Sequence, residues 1–365
     1  MLIATDHLWS GGRLDAGQAL ETDADRVVAV RPLGGDTPDA THALIAPSLT
    51  DLQVNGGGGV MVNGDPTPDG LRAVLAAHRG RGTGAILPTV ITDAPEVIEA
   101  AAASALAVAG EPGQLGLHIE GPHIAPGRRG THDPDHIRPL DERTVALVER
   151  LRGRGLRVVV TLAPERADPN LLGRLVASGA VVSAGHSTAT AQEAKAAFAA
   201  GVSCVTHLYN AMEPMTSRAP GLLGAALVAE VHGGIIADGI HIAWDMIKVA
   251  LRARPSPGLT FAVSDAMATV GGPDRFTLYG QEITVRDGAL VNAEGSLAGA
   301  HIDMAGSLRN LVRHVGLPLA EALAMCADTP RAVIGLPPQT IGPETPLADL
   351  VAFGTDLTRV EGAWA

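Results

Sequence analysis

The chain has 365 residues, and a composition of 46% hydrophobic and 18% charged residues allows a large core, which excludes the intrinsically disordered class. The formal net charge of −12 argues against a nucleic-acid partner, because phosphate backbones require clustered lysine and arginine. Aromatic residues make up only 2%, so the core must be built from aliphatic side chains, as in parallel strands covered by helices on both faces.

The sequence shows no sign of a membrane or secretory segment. No uncharged apolar stretch reaches the roughly 18 residues that a membrane span requires, and no basic segment followed by an apolar one opens the chain. Cys204 and Cys326 lie among apolar residues and are expected to be reduced core residues. We therefore expect a cytoplasmic protein with no membrane and no nucleic-acid partner.

Strand patterns stand at both ends of the chain. Residues 26–30 alternate weakly between apolar and polar and lie among Gly-Gly turn signals, which favours short antiparallel strands. Residues 348–353 read as another strand. We predict a small β-sandwich domain formed from both termini, by residues 1–46 and 337–365.

The middle of the chain, residues 47–336, alternates short apolar runs with helical patterns. Leu71, Val74, Leu75 and His78, for example, fall on one helical face. The apolar runs are residues 44–45 with 49–54, 85–87, 115–119, 158–162, 181–182, 203–206, 234–237 and 261–263. Eight strands alternating with helices predict an α/β fold, a (β/α)₈ TIM-like barrel. An open doubly wound sheet is the alternative, but no G-x-G-x-x-G motif follows a strand to support dinucleotide binding.

Residues that can bind metal follow several of these runs. Active sites of such barrels lie where the strands end and the next loops begin. Glu120, His186 and His207 stand at three such ends, and two imidazoles with one carboxylate form a common catalytic zinc set that leaves a position for water. Asp265 follows the last run and could accept a proton from that water. Each residue alone could be a structural histidine or a helix cap, but together they favour a metal-dependent hydrolase.

Two more histidines lie close to these strand ends. His118 precedes Glu120 by two residues, and we predict that it points to the opposite side of the strand, away from the site. His301 follows a Gly-containing segment and could either line the pocket or serve only the structure.

Short stretches at the strand ends resemble those of one family. In chain order they read D-L-Q-V-N-G at 51–56, H-I-E-G-P at 118–122, G-T-H at 130–132, G-H-S at 185–187, T-H-L-Y-N-A-M at 206–212, R-A-P-G at 218–221, A-D-G-I-H at 237–241 and S-D-A-M at 264–267. This pattern is similar to that of N-acetylglucosamine-6-phosphate deacetylases of the amidohydrolase superfamily. The resemblance implies hydrolysis of N-acetyl-D-glucosamine 6-phosphate to D-glucosamine 6-phosphate and acetate.

The resemblance also implies a role for each residue of the reaction centre. Glu120, His186 and His207 would be the metal ligands. Asp265 would act first as general base and then as general acid. His132 would polarise the acetyl carbonyl together with the metal, which stabilises the charge that develops on that oxygen.

Other residues would bind the substrate by the same resemblance. Asn210 and Ala211 would hold the sugar phosphate through side chain and backbone, and His241 and Arg218 would contact the phosphate end. The family is typically homodimeric, so we predict a homodimer in which Arg218 crosses the interface. A guanidinium suits this task because it can grip a phosphate with two hydrogen bonds.

One pair of residues bears on the number of metal ions. Many amidohydrolases have a His-x-His pair after the first barrel strand and bind two metals, whereas this chain has Gln53 and Asn55. Neutral amides are poor ligands for such a cation. We predict one divalent ion per subunit, with zinc fitting best and iron, manganese or cobalt as alternatives.

Three other functions remain open at this stage. The substrate could be another N-acetylamino-sugar 6-phosphate, such as N-acetylgalactosamine 6-phosphate, because the epimers differ at one hydroxyl. A cyclic-amide amidohydrolase would favour a carboxylated lysine at a strand end, but Lys195 lies in a helical pattern. A catalytically silent sugar-phosphate sensor would be expected to lack Asp265 or a metal ligand.

Overall fold

The computed structural model describes residues 1–293, 295 and 297–364. The strands are β1 (Leu2–Ser10), β2 (Arg13–Asp23), β3 (Arg26–Pro32), β4 (Ala40–Pro47), β5 (Thr50–Val54), β6 (Gly56–Gly57), β7 (Val60–Met61), β8 (Ala85–Ile91), β9 (Gly116–Glu120), β10 (Arg157–Leu162), β11 (Val181–Ala184), β12 (Cys204–Val205), β13 (His232–Ile236), β14 (Thr260–Val263), β15 (Arg275–Leu278), β16 (Gln281–Arg286), β17 (Ala289–Val291), β18 (Leu297–Ala300) and β19 (Leu350–Phe353). The helices are α1 (Pro68–Arg79), α2 (Pro95–Ala107), α3 (Glu142–Gly153), α4 (Pro169–Ala177), α5 (Ala191–Ala199), α6 (Gly221–Leu227), α7 (Trp244–Ala253), α8 (Met304–Asn310), α9 (Leu319–Leu323) and α10 (Thr329–Val333). Two π-helical segments, Leu311–Val315 and Ala324–Asp328, continue α8 and α9.

Both ends of the chain contribute to one five-stranded sheet, in the order β19-β4-β1-β2-β3. β1 pairs antiparallel with β2 and parallel with β4, and β19 covers the outer edge of β4 in the antiparallel sense. Ile3, Leu20 and Ile45 pack against Leu347 from the C-terminal segment, and all four are buried. The expected small β structure from both termini is confirmed.

The assignment of residues 44–45 to the first barrel strand is wrong. Leu44 and Ile45 belong to β4 of the terminal sheet, where Leu44 pairs with Phe353 of β19. The apolar run is interrupted at Pro47, which has no N–H to donate to a strand ladder. The first barrel strand, β5, therefore begins only at Thr50.

Eight parallel strands form a second sheet, in the order β14-β13-β12-β11-β10-β9-β8-β5. Every residue of β5 and β8 is buried, because helices cover the outer face and side chains fill the interior. β5 and β14 meet through a bridge between Val54 and Ala266 and through the Asp265 N–H, which donates to the Gln53 carbonyl at 3.0 Å. The sheet closes into a barrel, which confirms the TIM-like prediction.

Several helices begin at residues that the sequence marks as caps. The Thr190 side chain accepts from the Glu193 N–H, and the Glu193 carboxylate accepts from the Thr190 N–H, so α5 opens with a capping box. The Asp141 side chain accepts from the Thr144 N–H at 2.8 Å and caps α3. The predicted apolar face of α1 is buried. These local signals fix where α3 and α5 begin and which face of α1 packs against the barrel.

An unexpected antiparallel sheet, β15-β16-β17-β18, lies between β14 and α8. Its first two turns are the pairs Tyr279-Gly280 and Asp287-Gly288, and all four residues have positive φ, as two-residue hairpin turns require. The Ala300 N–H at the end of β18 donates to the Asp265 carbonyl at 3.0 Å. The inserted sheet is thus fastened to the barrel beside the Asp265 turn.

Both cysteines are buried and unpaired, as expected. Burial raises the pKa of the Cys204 thiol to about 11, so that thiol stays protonated at neutral pH. Among the described residues, no helix combines the length and apolar character needed to cross a lipid bilayer.

Candidate metal centre and active site

Three side chains with metal-binding atoms converge at the carboxyl ends of β9, β11 and β12. His207 Nε2 lies 3.0 Å from His186 Nε2 and 3.1 Å from Glu120 Oε1, and His186 Nε2 lies 3.3 Å from the same oxygen. With bonds of about 2.0–2.1 Å, ligand atoms at the corners of a tetrahedron lie about 3.3–3.4 Å apart. The three separations therefore fit a single divalent ion, and all three side chains are buried.

The hydrogen bonds around this triad prepare it for a cation. His186 Nδ1 donates to the Arg128 carbonyl at 2.8 Å, so Nε2 carries the lone pair that a metal requires. Burial disfavours the charged form of Glu120, but positive charge on the neighbouring His186 and His207 imidazoles holds its pKa well below the usual value. Acceptor atoms this close repel one another unless a proton or a cation lies between them, so the donor set fits a bound metal ion.

His132 lies beside this triad, and its ligand atom falls within 4.8 Å of those of Glu120 and His186. Its Nδ1 lies 2.7 Å from Thr92 Oγ1 and accepts the Thr92 backbone N–H at 3.4 Å. A backbone N–H can only donate, so the ring proton is on Nε2, which makes His132 a hydrogen-bond donor and leaves His207 as the third metal-type ligand. Burial, together with the nearby His186, lowers the pKa of His132 to about 3, so the ring is neutral.

Gln53 and Asn55 connect the two carboxylates of the site. Gln53 Nε2 donates to Glu120 Oε1 and to Asp265 Oδ1, each at 3.0 Å. Asn55 Nδ2 donates to the same Asp265 oxygen at 2.7 Å. The side-chain N–H groups of both amides are thus hydrogen-bonded to carboxylates. Burial, together with the charge of Glu120, raises the pKa of Asp265 to about 6.

A cavity of about 170 Å³ opens above these residues, and Asn210, Ala211 and His241 line it. His241 Nδ1 pairs with Asp238 Oδ2 at 2.6 Å, which holds the ring in place. Arg218 lies exposed on the loop before α6 and does not line the cavity of its own chain. Among the described lining residues there is no lysine or arginine, so this chain alone brings no permanent cation to the cavity.

Backbone strain marks the same strand ends. His186, His207, Tyr209, Ala211 and Asp265 all have positive φ, although none is glycine. Such conformations are uncommon for residues with a Cβ and persist where the surrounding structure enforces them. Their clustering after β11, β12 and β14 indicates that the loops are shaped for the site rather than for stability.

The structure corrects the placement of His118 and locates His301. His118 faces the barrel interior on the same side as Glu120, because residues two apart share a face of a strand, so the predicted orientation is wrong. Its two ring nitrogens are engaged by the Leu52 carbonyl and Thr161 Oγ1, so it is not free to bind metal. His301 Nδ1 contacts Thr269 Oγ1 at 2.8 Å, outside the lining of the cavity.

Two residues that sequence reasoning did not assign orient the site. Thr92 sets the tautomer of His132, and Asp238 holds His241. Gly121 makes room for Thr92, because a Cβ at this positive-φ glycine would come within 2.2 Å of Thr92 Oγ1. Thr92 directly follows β8, so reading the end of the second barrel strand could have found it.

Comparisons with known proteins agree with this geometry. The sequence profile of the amidohydrolase family matches residues 44–360. The chain is 42% identical to an N-acetylgalactosamine-6-phosphate deacetylase of Shewanella sp. (strain ANA-3), over 89% of this chain and 82% of that protein. It is 35% identical to an N-acetylglucosamine-6-phosphate deacetylase of Haemophilus influenzae, over 91% of this chain and 89% of that protein.

The crystal structure of N-acetylglucosamine-6-phosphate deacetylase from Pasteurella multocida superposes with a TM-score of 0.87 at 31% identity. The superposition covers 98% of this chain and 97% of that one. The resemblance noted in the sequence is thereby confirmed, and the chain belongs to the amidohydrolase family.

Proposed function

We propose that this chain is a metal-dependent deacetylase that hydrolyses N-acetyl-D-glucosamine 6-phosphate to D-glucosamine 6-phosphate and acetate. The observation that carries the proposal is one buried convergence of a metal-type triad, the Asp265 carboxylate and the His132 N–H donor around a single cavity. The names of the relatives support the same reaction class.

Glu120, His186 and His207 would hold one divalent ion per subunit, and zinc suits this donor set best. Such an ion lowers the pKa of water and polarises a carbonyl oxygen, which makes amide hydrolysis possible at neutral pH. Gln53 and Asn55 support a single ion, because their N–H groups are engaged with Glu120 and Asp265.

The protein's own groups would carry the protons of the reaction. Asp265 accepts a proton from the attacking water and later delivers it to the leaving amine. His132 donates its Nε2–H to the acetyl oxygen as negative charge develops there. Asp265 lies among the residues that line the cavity and is half-buried there, within reach of a bound substrate.

Asp265 can act as a base only when it is ionised, which predicts the acid side of the pH profile. Its pKa is raised to about 6, and a bound cation would shift that value downward. We expect kcat/KM to fall as the pH decreases through a midpoint at or below about 6. Steady-state rates from about pH 4.5 to about pH 9 would test this, and activity that rises as the pH falls from neutrality would contradict it.

The sugar phosphate would be held by Asn210, Ala211 and His241 in one chain and by Arg218 of a second copy in a homodimer. The cavity needs a cation for a dianionic phosphate, and its described lining has none of its own. Exposed Met215, close to Arg218 in sequence, supplies apolar surface of the kind that interfaces use.

Subunit mixing would test this arrangement. Arg218→Ala and Asp265→Asn dimers are each expected to be nearly inactive, because each site lacks one required residue. Random exchange of subunits should restore about a quarter of the sites, since half the dimers are mixed and each of those has one intact site. Unmixed variants carried through the same exchange are the control, and no recovery despite verified exchange would place Arg218 outside the partner's site.

The galacto epimer, N-acetylgalactosamine 6-phosphate, is the second candidate substrate, because the Shewanella relative at 42% identity carries that name. Acetate release should be measured on both 6-phosphates and on unphosphorylated N-acetylglucosamine, and ring opening should be measured on a cyclic amide such as hydantoin. Preferred turnover of the gluco 6-phosphate supports the proposal. Preferred turnover of the galacto epimer makes that epimer the substrate, and turnover of the cyclic amide alone refutes both candidates.

A cytoplasmic location stays a prediction of the sequence.

A further inference from the structure

A carboxylate is buried in the seam where the barrel closes, with no cation beside it among the described residues. Asp51 of β5 is 0% exposed, and the nearby carboxylate of Asp265 has a charge of the same sign. Burying such a group is costly unless hydrogen bonds compensate. Asp51 Oδ1 accepts the Gln53 N–H at 3.1 Å, and its Oδ2 accepts the Ser264 N–H at 3.2 Å.

These hydrogen bonds hold the turn that carries Asp265. Ser264 immediately precedes Asp265, whose φ of 53° is strained for a residue with a Cβ. Asp265 N donates to the Gln53 carbonyl at 3.0 Å, and Ala266 N donates to Ser264 Oγ at 3.1 Å. The N–H groups of three successive residues are thus all engaged, and the first of them depends on Asp51.

Asp51 also fixes Gln53, which lies on the β5 side of the contact between β5 and the Asp265 turn. It accepts the backbone N–H of Gln53, and the Gln53 side chain donates to Asp265 Oδ1 and to Glu120 Oε1. Apart from the bridge between Val54 and Ala266, β5 and β14 form no regular ladder with each other in the described chain. At Ser264 a side-chain carboxylate therefore takes the place of a backbone acceptor, one residue before the Asp265 N–H returns to backbone pairing with the Gln53 carbonyl.

We propose that Asp51 is a positioning residue for the reaction, which fixes the carboxylate of Asp265 relative to the metal ligands through Ser264 and Gln53. This inference rests on the proposed deacetylase function and deepens it. Asp51 itself touches no substrate, because it lies below the cavity and outside its lining.

The test is Asp51→Asn in the full-length, metal-loaded protein. The Ser264 N–H is shared between both oxygens of Asp51, and asparagine replaces one of them with an NH2 group that repels this N–H, so the turn loses one of two acceptors while volume is kept. We expect kcat to fall by about 10- to 100-fold with KM changed by less than about threefold, because misplacing a reacting group slows chemistry more than binding. Hydrogen exchange of the peptide spanning residues 260–267 should become faster, and bound metal should be unchanged.

Thr50→Val is the matched control. Thr50 is the preceding residue, is equally buried, and its hydroxyl has no hydrogen-bond partner in the described structure. The control should keep kcat within about twofold. If Asp51→Asn yields no soluble protein, Ser264→Ala replaces it, because this change removes the hydroxyl that hydrogen-bonds to Asp51 and accepts the Ala266 N–H, and it leaves a small side chain. A smaller fall in kcat, of about three- to tenfold, is then expected.

The outcomes separate this inference from the proposed function. Wild-type protein that releases no acetate from any sugar phosphate refutes the function itself, whatever the exchange data show. Active wild type with unchanged kcat in Asp51→Asn, or in Ser264→Ala where that variant stands in, overturns the positioning role. A loss of activity that only parallels lost metal or lost folded protein also overturns it and leaves Asp51 a structural residue.

Discussion

Replacing Asp265 with asparagine is expected to lower kcat by about 100- to 10,000-fold, because the proposed general base can no longer accept a proton. The change preserves the geometry of the site. The asparagine oxygen can still accept the N–H groups of Gln53 and Asn55 that now reach Asp265 Oδ1. The loss therefore reports on proton transfer rather than on folding.

Acetate release under saturating substrate would measure this effect, with metal content determined on the same preparations. Asp274→Asn is the matched control, since Asp274 is an exposed carboxylate nine residues further along the chain. It should keep full activity. An Asp265→Asn protein that retains metal and more than about a tenth of wild-type kcat would contradict the assigned base.

Removing the metal ion is expected to abolish turnover, and adding back one equivalent per subunit should restore it. Glu120, His186 and His207 offer three ligand atoms within 3.0–3.3 Å of one another, so deleting one of them removes a third of the protein ligands. Elemental analysis of His207→Ala should show little bound metal, together with activity near background.

His132→Ala separates the donor role from a ligand role. Its Nε2 carries the ring proton because Nδ1 accepts from Thr92, so this variant should keep its metal and still lose most of its kcat. Together, His132→Ala and His207→Ala test which of the two histidines is the third metal ligand. If His132→Ala loses the metal while His207→Ala keeps it, the third ligand is His132.

The strand ends were predictable because the carboxyl ends of parallel strands meet at one face of a barrel. Glu120, His186 and His207 each follow an apolar run, so simple reading of the runs brings them together. Asp265 was found in the same way. His132 lies in a loop far from any run, and only the family resemblance pointed to it.

Other features depend on contacts that no local pattern reveals. The tautomer of His132 is decided by Thr92, 40 residues earlier in the chain. The predicted orientation of His118 is wrong because residues two apart, such as His118 and Glu120, lie on the same face of a strand. The ring nitrogens of His118 contact the Leu52 carbonyl and Thr161 Oγ1 inside the barrel. The inserted sheet had turn signals at Asp287-Gly288, but its strands are short and mostly half-exposed, so their apolar pattern is weak.

The pairing of β4 with β19 has a consequence for the protein's synthesis. Pro47 and Leu350 are partners across the sheet although about 300 residues separate them in sequence. At ribosomal rates of about 5–20 residues per second, the edge of β4 waits about 15–60 seconds for its neighbour. During that interval the nascent chain presents an unsatisfied strand edge, the kind of surface on which chains aggregate. Chaperones bind exposed strand edges of this kind. We therefore expect the yield of folded protein to depend on chaperones more strongly than the yield of a barrel without the β4–β19 pairing would.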